Sequence, residues 1–253
     1  MKIHHADTNY RLLPSEISDK ELELDYTPSP PDRQFLDKTA KRRWAHLSLA
    51  IHLMVFRNLG YFVPLVKVPP QIRDHIGAAL GHKIMPPAST FETYDRSGPQ
   101  RGHIAALRTY LGVQPFRDKD GTWLKTVAVE AAESKHAVGD IISALCEQLV
   151  RHRFELPPFE LLKKAANRAH SIVTERHLGK IANALTPKAK KVIDELFKRR
   201  SGEVITGWQY LKREPKFPSS NEAREMLHHV QHLKQLADQM PPVDLPQPKL
   251  RAD

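Results

Sequence analysis

The chain carries 20 prolines, clustered at 28–31, 64–70, 86–87, 157–158, 215–218 and 241–248, with long intervals between them. Proline lacks an N–H and its ring clashes with the preceding turn, so each cluster starts or stops a helix. The intervals repeat apolar residues at three-and-four spacing, the period of one buried helical face. The expected fold class is all-α, as two helical, helix-turn-helix-like units in tandem.

The most apolar interval is 39–58. There Trp44, Leu47, Ile51, Met54 and Val55 form a stripe, and Leu49, Leu53 and Phe56 extend it nearly all round. Such a helix belongs at the centre of a domain. Its run from Leu47 to Phe56 is interrupted by Ser48 and His52 and falls short of the roughly 20 residues of a membrane span.

Further along, Ile72, Ile76 and Leu80 ahead of Gly81 predict a short helix that starts at Pro69 and Pro70. After a loop, Ile104, Leu107 and Leu111 ahead of Gly112 predict another. Residues 115–121 hold Asp118, Lys119, Asp120 and Gly121 without an apolar pattern, which sets a boundary. Helices are expected from Leu124 to about Ala137, from Ile141 to about His152 and from Phe159 to about Leu178. Thr186 with Pro187, and Ser219 or Ser220, read as N-terminal caps of two more. The division expected is an N-terminal extension over 1–38, a first unit over 39–118, a second over 119–240 and an extended proline-rich tail over 241–253.

Lys and Arg number 39 against 29 Asp and Glu, a net charge of +10. That balance favours a polyanionic partner. The surplus is not a tail: residues 39–118 hold 11 basic against 4 acidic residues, and 150–200 hold 13 against 5. Lys41, Arg42 and Arg43 open the central helix, and Arg101, His103 and Arg108 share the helix after the loop. Arg151 and Arg153 follow, and Lys163, Lys164, Asn167, Arg168 and Ser171 lie opposite an apolar face made by Leu162, Ala165, Ala166, Ala169, Ile172 and Val173. These are the candidate DNA-binding residues, donors for phosphate oxygens and base edges. The 14 histidines would add charge and tighten polyanion binding on mild acidification.

No catalytic pattern emerges. His228, His229 and His232 have a spacing that fits zinc, but no acid or cysteine completes a ligand set, so exposed helix histidines are expected. Asp118, Asp120 and Gly121 resemble the start of a calcium loop without its later ligands, and a turn is expected. Cys146, the one cysteine, lies between Leu145 and Leu149 and reads as buried. It can form no internal disulfide, and the first thirty residues offer no apolar signal segment, so a cytoplasmic protein without cofactor is expected.

Several segments together resemble the Tn-three family of replicative transposases. They begin with Tyr26, Thr27, Ser29 and Asp32, then Leu47–Phe62 (LSLAIHLMVFRNLGYF) and Val68–Gly81 (VPPQIRDHIGAALG). Arg101–Phe116 (RGHIAALRTYLGVQPF) and Glu147–Ala165 (EQLVRHRFELPPFELLKKA) follow, then Leu185–Leu196 and Trp208–Ser219. The resemblance implies a helical region that binds the terminal inverted repeats of a transposon, set apart from a downstream RNase H-like catalytic domain. It matches Arg101, His103 and the Arg151, Arg153, Leu156, Pro157 segment. The expected partner is double-stranded DNA at transposon ends, with the chain itself or a full-length transposase as a further partner, and no membrane. An interaction module that regulates a transposase is the alternative, RNA or single-strand binding ranks third, and an enzyme last.

Overall fold

In the computed structural model, residues 8–199, 205–212 and 219–241 are described. The expected tail over 241–253 lies outside them, except for Pro241. Among the described residues there are twelve α-helices, one short 3-10 segment and no strand, so the fold is all-α. By its contacts the chain falls into two compact units, 1–170 and 171–253, divided within a helix.

The first unit is built around α3 (Arg43–Leu59). Leu47, Leu49, Ala50, Ile51 and Leu53 are fully buried, which the nearly continuous apolar surface of this helix requires. Against it pack α4 (Pro70–Ala79) through Ile72 and Ile76, and α6 (Gly98–Leu111) through Leu107. Truncating any one of these side chains to alanine removes a contribution of about 2–5 kcal/mol.

Three elements carry weaker sequence signals. In α1 (Asp19–Tyr26), Ser18 and Glu21 form a reciprocal capping box, and Leu22 and Tyr26 are buried. The next helix, α2 (Pro30–Thr39), opens on Ser29 and Asp32 and buries Leu36. The expected extension thus supplies part of the core. The stretch expected as a loop before Arg101 contains α5 (Ala88–Asp95), which packs Phe91 and Tyr94 into the same cluster.

Gly60 ends α3 with φ +78°, a conformation that a side chain disfavours. Its carbonyl accepts a 2.8 Å bond from Leu156 N–H, and a methyl group at Gly60 would stand 3.1 Å from the Leu156 side chain. Gly112 ends α6 in the same way, at φ +64°.

The chain then enters a helical hairpin of α7 (Thr122–Ala132) and α8 (Val138–Arg151). The stretch before it forms the expected turn, with the Asp118 carboxylate accepting from Leu124 N–H at 2.9 Å. The hairpin closes where Gln114 N–H donates to Arg153 O and Glu155 N–H donates to Gln114 O, each at 2.8 Å. Cys146 is buried on α8, and burial pushes its thiol up to about 12. Next comes α9 (Phe159–Ala184), whose Leu162, Ala166, Ala169 and Val173 are buried as the apolar face predicts.

The second unit contains the end of α9, α10 (Pro187–Phe197), α11 (Gly207–Leu211) and α12 (Ser220–Ala237). Thr186 and Ser219 cap α10 and α12 as expected. His229 does not follow the expectation of exposed histidines: it is buried, with its ring 5.0 Å from that of Tyr210. No group of His, Cys, Asp and Glu among the described residues is arranged to hold a metal ion. Nor is any described helix long and apolar enough to cross a membrane.

Candidate nucleic-acid interface

The candidate residues lie at three places, all in the first unit except Ser171. At the first, Ala40, Lys41 and Arg42 lead into α3, whose opening turn has no side-chain cap and no acid. Unpaired N–H groups and the helix dipole make such a terminus attractive to anions. Lys41 Nζ donates to Asp37 O at 2.7 Å and remains exposed, as do Arg42 and Arg43. The Arg43 guanidinium lies 4.4 Å above the Trp44 ring, and its Nε donates to His82 Nδ1 at 3.1 Å.

These residues border a groove of about 660 Å³ between the start of α3, α5 and the start of α6. Lys41, Arg42, Trp44, Ser48, Thr90 and Tyr94 line it, joined by His103 from α6. His103 is half-buried and its Nδ1 lies 2.7 Å from the Tyr94 hydroxyl. Arg101 is exposed one turn before Ala105 on α6.

Arg108 is held differently. Its Nη2 and Nε donate to one oxygen of Glu155 at 2.7 and 3.0 Å, and its guanidinium lies 5.4 Å from the Phe62 ring centre. An arginine so engaged ties α6 to the chain after α8, and reaching a phosphate would require breaking that pair.

At the second place, the end of α8, Arg151 and Arg153 are exposed and Arg153 has φ +59°, the one positive φ of a non-glycine residue among the described residues. Around the turn Phe116, Trp123, His152 and Phe154 form a ring cluster with centres 5.6–6.3 Å apart. The third place is the polar face of α9, where Lys164, Asn167, Arg168 and Ser171 are exposed. Lys163 is half-buried with Nζ 3.8 Å from Glu160, and Asn167 Nδ2 donates to Lys163 O at 2.9 Å.

One feature of this surface escaped the sequence reading. Ser48 and His52 looked like interruptions in an apolar run, yet both are buried, and Ser48 lines the groove. Lys188, Lys190 and Lys191 are exposed on α10 in the second unit and belong to the basic stretch already counted over 150–200. The expected gain of positive charge from histidine is also reduced. Burial lowers the pKa of His103, burial with Arg43 and His46 lowers that of His82, and burial with His103 brings His52 to about 4.

A model of a domain of unknown function, DUF4158, matches residues 4–169, which is well over half of the chain. The chain belongs to the DUF4158 family. The match includes the first two places and the α9 face through Arg168, while Ser171 and the rest of the second unit lie outside it. This DUF4158 chain is 29% identical over 217 residues to the transposase for transposon Tn3926 of Escherichia coli, which covers 85% of the chain and 21% of that transposase. It is 30% identical over 195 residues to the transposase for transposon Tn501 of Pseudomonas aeruginosa, covering 76% and 19%. Against the transposase for transposon Tn21 of Escherichia coli it is 27% identical over 139 residues, covering 55% and 14%. The resemblance read from the motifs is borne out, and the chain spans about a fifth or less of these relatives.

Proposed function

We propose that this chain binds duplex DNA in a sequence-specific way and serves transposition by recognising the terminal inverted repeats of a transposon. The observation that carries this reading is the entry to α3, where Lys41, Arg42 and Arg43 are exposed beside a first turn with no side-chain cap and no acid of its own, the nearby Asp37 carboxylate being taken up by His46 at 3.1 Å. A phosphate held there would gain both the backbone N–H groups and the side-chain cations. Arg101, Arg151 and Arg153 supply further phosphate contacts, His103 faces the groove beside them, and the α9 face of Lys163, Lys164, Asn167 and Arg168 reads base edges. Asn167 and Arg168 carry the side chains suited to adenine and guanine. Arg108 contributes indirectly, through its pair with Glu155. The likeness to three transposases supports a partner at transposon ends.

The test is a comparison of a transposon-end duplex with a scrambled duplex across a salt series. Neutralising about six to eight phosphates gives a log-log slope of roughly −5 to −7. A slope near zero refutes duplex binding, and equal affinity for the two duplexes refutes sequence specificity.

A second reading, a module that regulates a transposase by pairing with it, draws on α12. Leu227, Val230 and Leu233 are exposed there at helical spacing. It predicts co-purification with a transposase in the absence of DNA and no footprint on transposon ends.

A further inference from the structure

Ser48 lies on the groove-facing side of α3, fully buried, and its Oγ has no hydrogen-bond partner. A buried hydroxyl left in this state is destabilising until an atom of suitable chemistry reaches it. One turn deeper on the same helix His52 Nε2 is also without a partner, 4.0 Å from the equally unsatisfied Asp95 Oδ1. Of these orphaned polar atoms, the Ser48 hydroxyl is the one that lines the groove, whose rim is cationic.

A phosphate alone does not account for this arrangement. It would engage Lys41, Arg42 and the first turn of α3 and leave most of the 660 Å³ and the Ser48 hydroxyl untouched. From Arg42 to Ser48 is six residues, roughly 9 Å along the helix axis. That is comparable to the span from a phosphate to the far edge of its own base. Between these ends the lining combines the Trp44 ring, which carries the Arg43 guanidinium on one face, the largely covered Tyr94 ring and the Thr90 hydroxyl, a mixture that suits a flat heterocycle with a polar edge.

We propose that this groove receives one nucleotide taken out of the DNA stack, with its phosphate at Lys41 and Arg42 and the polar edge of its base on Ser48 Oγ. Base–aromatic stacking and a cationic track are the general means by which unstacked nucleotides are held. The inference deepens the DNA-binding reading and rests on it where the nucleotide belongs to a duplex. A free mononucleotide presents the same chemistry.

The whole chain is titrated with two duplexes, one fully paired and one with a single unpaired adenosine, and separately with deoxyadenosine monophosphate. The wild-type protein is expected to prefer the duplex with the unpaired base by at least about five-fold, as stacking on an aromatic wall provides. Ser48→Ala is expected to remove most of that preference, the effect of one lost buried hydrogen bond, while affinity for the paired duplex is unchanged. Thr90→Tyr, which fills the groove from α5, is expected to abolish the preference and serves if Ser48→Ala folds poorly. Equal binding of both duplexes by the wild type overturns the nucleotide pocket and leaves duplex recognition standing. If neither duplex binds, duplex recognition fails; deoxyadenosine monophosphate binding that Ser48→Ala or Thr90→Tyr removes then supports the pocket, and its absence overturns it.

Discussion

The Arg57 guanidinium on α3 grips both carboxylate oxygens of Asp32 on α2, each at 2.6 Å. Asp32 is fully buried and also accepts from Ser29 N–H and Oγ and from the Tyr110 hydroxyl. One carboxylate therefore caps α2 and binds α3 and α6 to it. Burial by itself raises the pKa of Asp32, but the bonds from Arg57, Ser29 and Tyr110 together outweigh it and hold the group at about 2.

The native carboxyl therefore titrates below its unfolded value of about 3.9, and the unfolded chain takes up the proton first. The stabilisation is fully present above about pH 5 and is lost as the pH falls toward 2, with a size of about 2 kcal/mol. Urea unfolding of wild type and Asp32→Asn should differ most near neutrality and converge near pH 2. Parallel pH profiles would remove the carboxylate from this role.

His52 has the same sign for a different reason. Burial, with a smaller contribution from His103, lowers its pKa to about 4, so the unfolded chain is protonated first, near 6.5. Stability should rise with pH between about 4 and about 6.5, by roughly 3 kcal/mol across that window. His52→Leu, which removes the titrating group at similar volume, should flatten that portion of the profile in chemical unfolding. An unchanged acid slope in this variant would assign the effect to other groups.

Gly60→Ala is expected to destabilise the first unit by about 1–2 kcal/mol through the left-handed backbone alone. The 3.1 Å approach to Leu156 adds to this unless that side chain moves. A thermal melt of the variant should show the loss, whereas Gly102→Ala, with open space around its position, should show none.

Charge removal distinguishes contact residues from ties. Replacing Lys41, Arg42 and Arg43 by alanine should reduce the salt slope of DNA binding by about 2–3. Arg108→Ala should leave the slope nearly unchanged and reduce stability instead, because its partner is Glu155. A slope that falls as far in Arg108→Ala would place that guanidinium on the DNA.

Helix caps and stops were legible because their physics is local. Thr186 with Pro187, Ser219 and Gly112 announce their elements within a turn. Three short helices of the first unit were not: α5 is eight residues long and offers one buried flank of Phe91 and Tyr94, and α1 and α2 bury few residues among many charges. Their placement depends on α3, far away in the chain. The site shows the same limit. Lys41–Arg43 and the α9 face could be found from charge and period, but nothing local reveals that Arg108 meets a carboxylate 47 residues later. Ser48 and His52 did stand out as polar residues in an apolar run, and that anomaly was the available sign of the groove floor.

The closure at Gln114 and Phe154 makes the α7–α8 hairpin a loop with a fastened neck. Because the chain leaves and returns at one point, the path of the helices before and after it does not depend on the hairpin's length. Its turn at 133–137, at the far end from that fastening, is the natural place for relatives to gain or shed residues without re-registering the rest of the molecule.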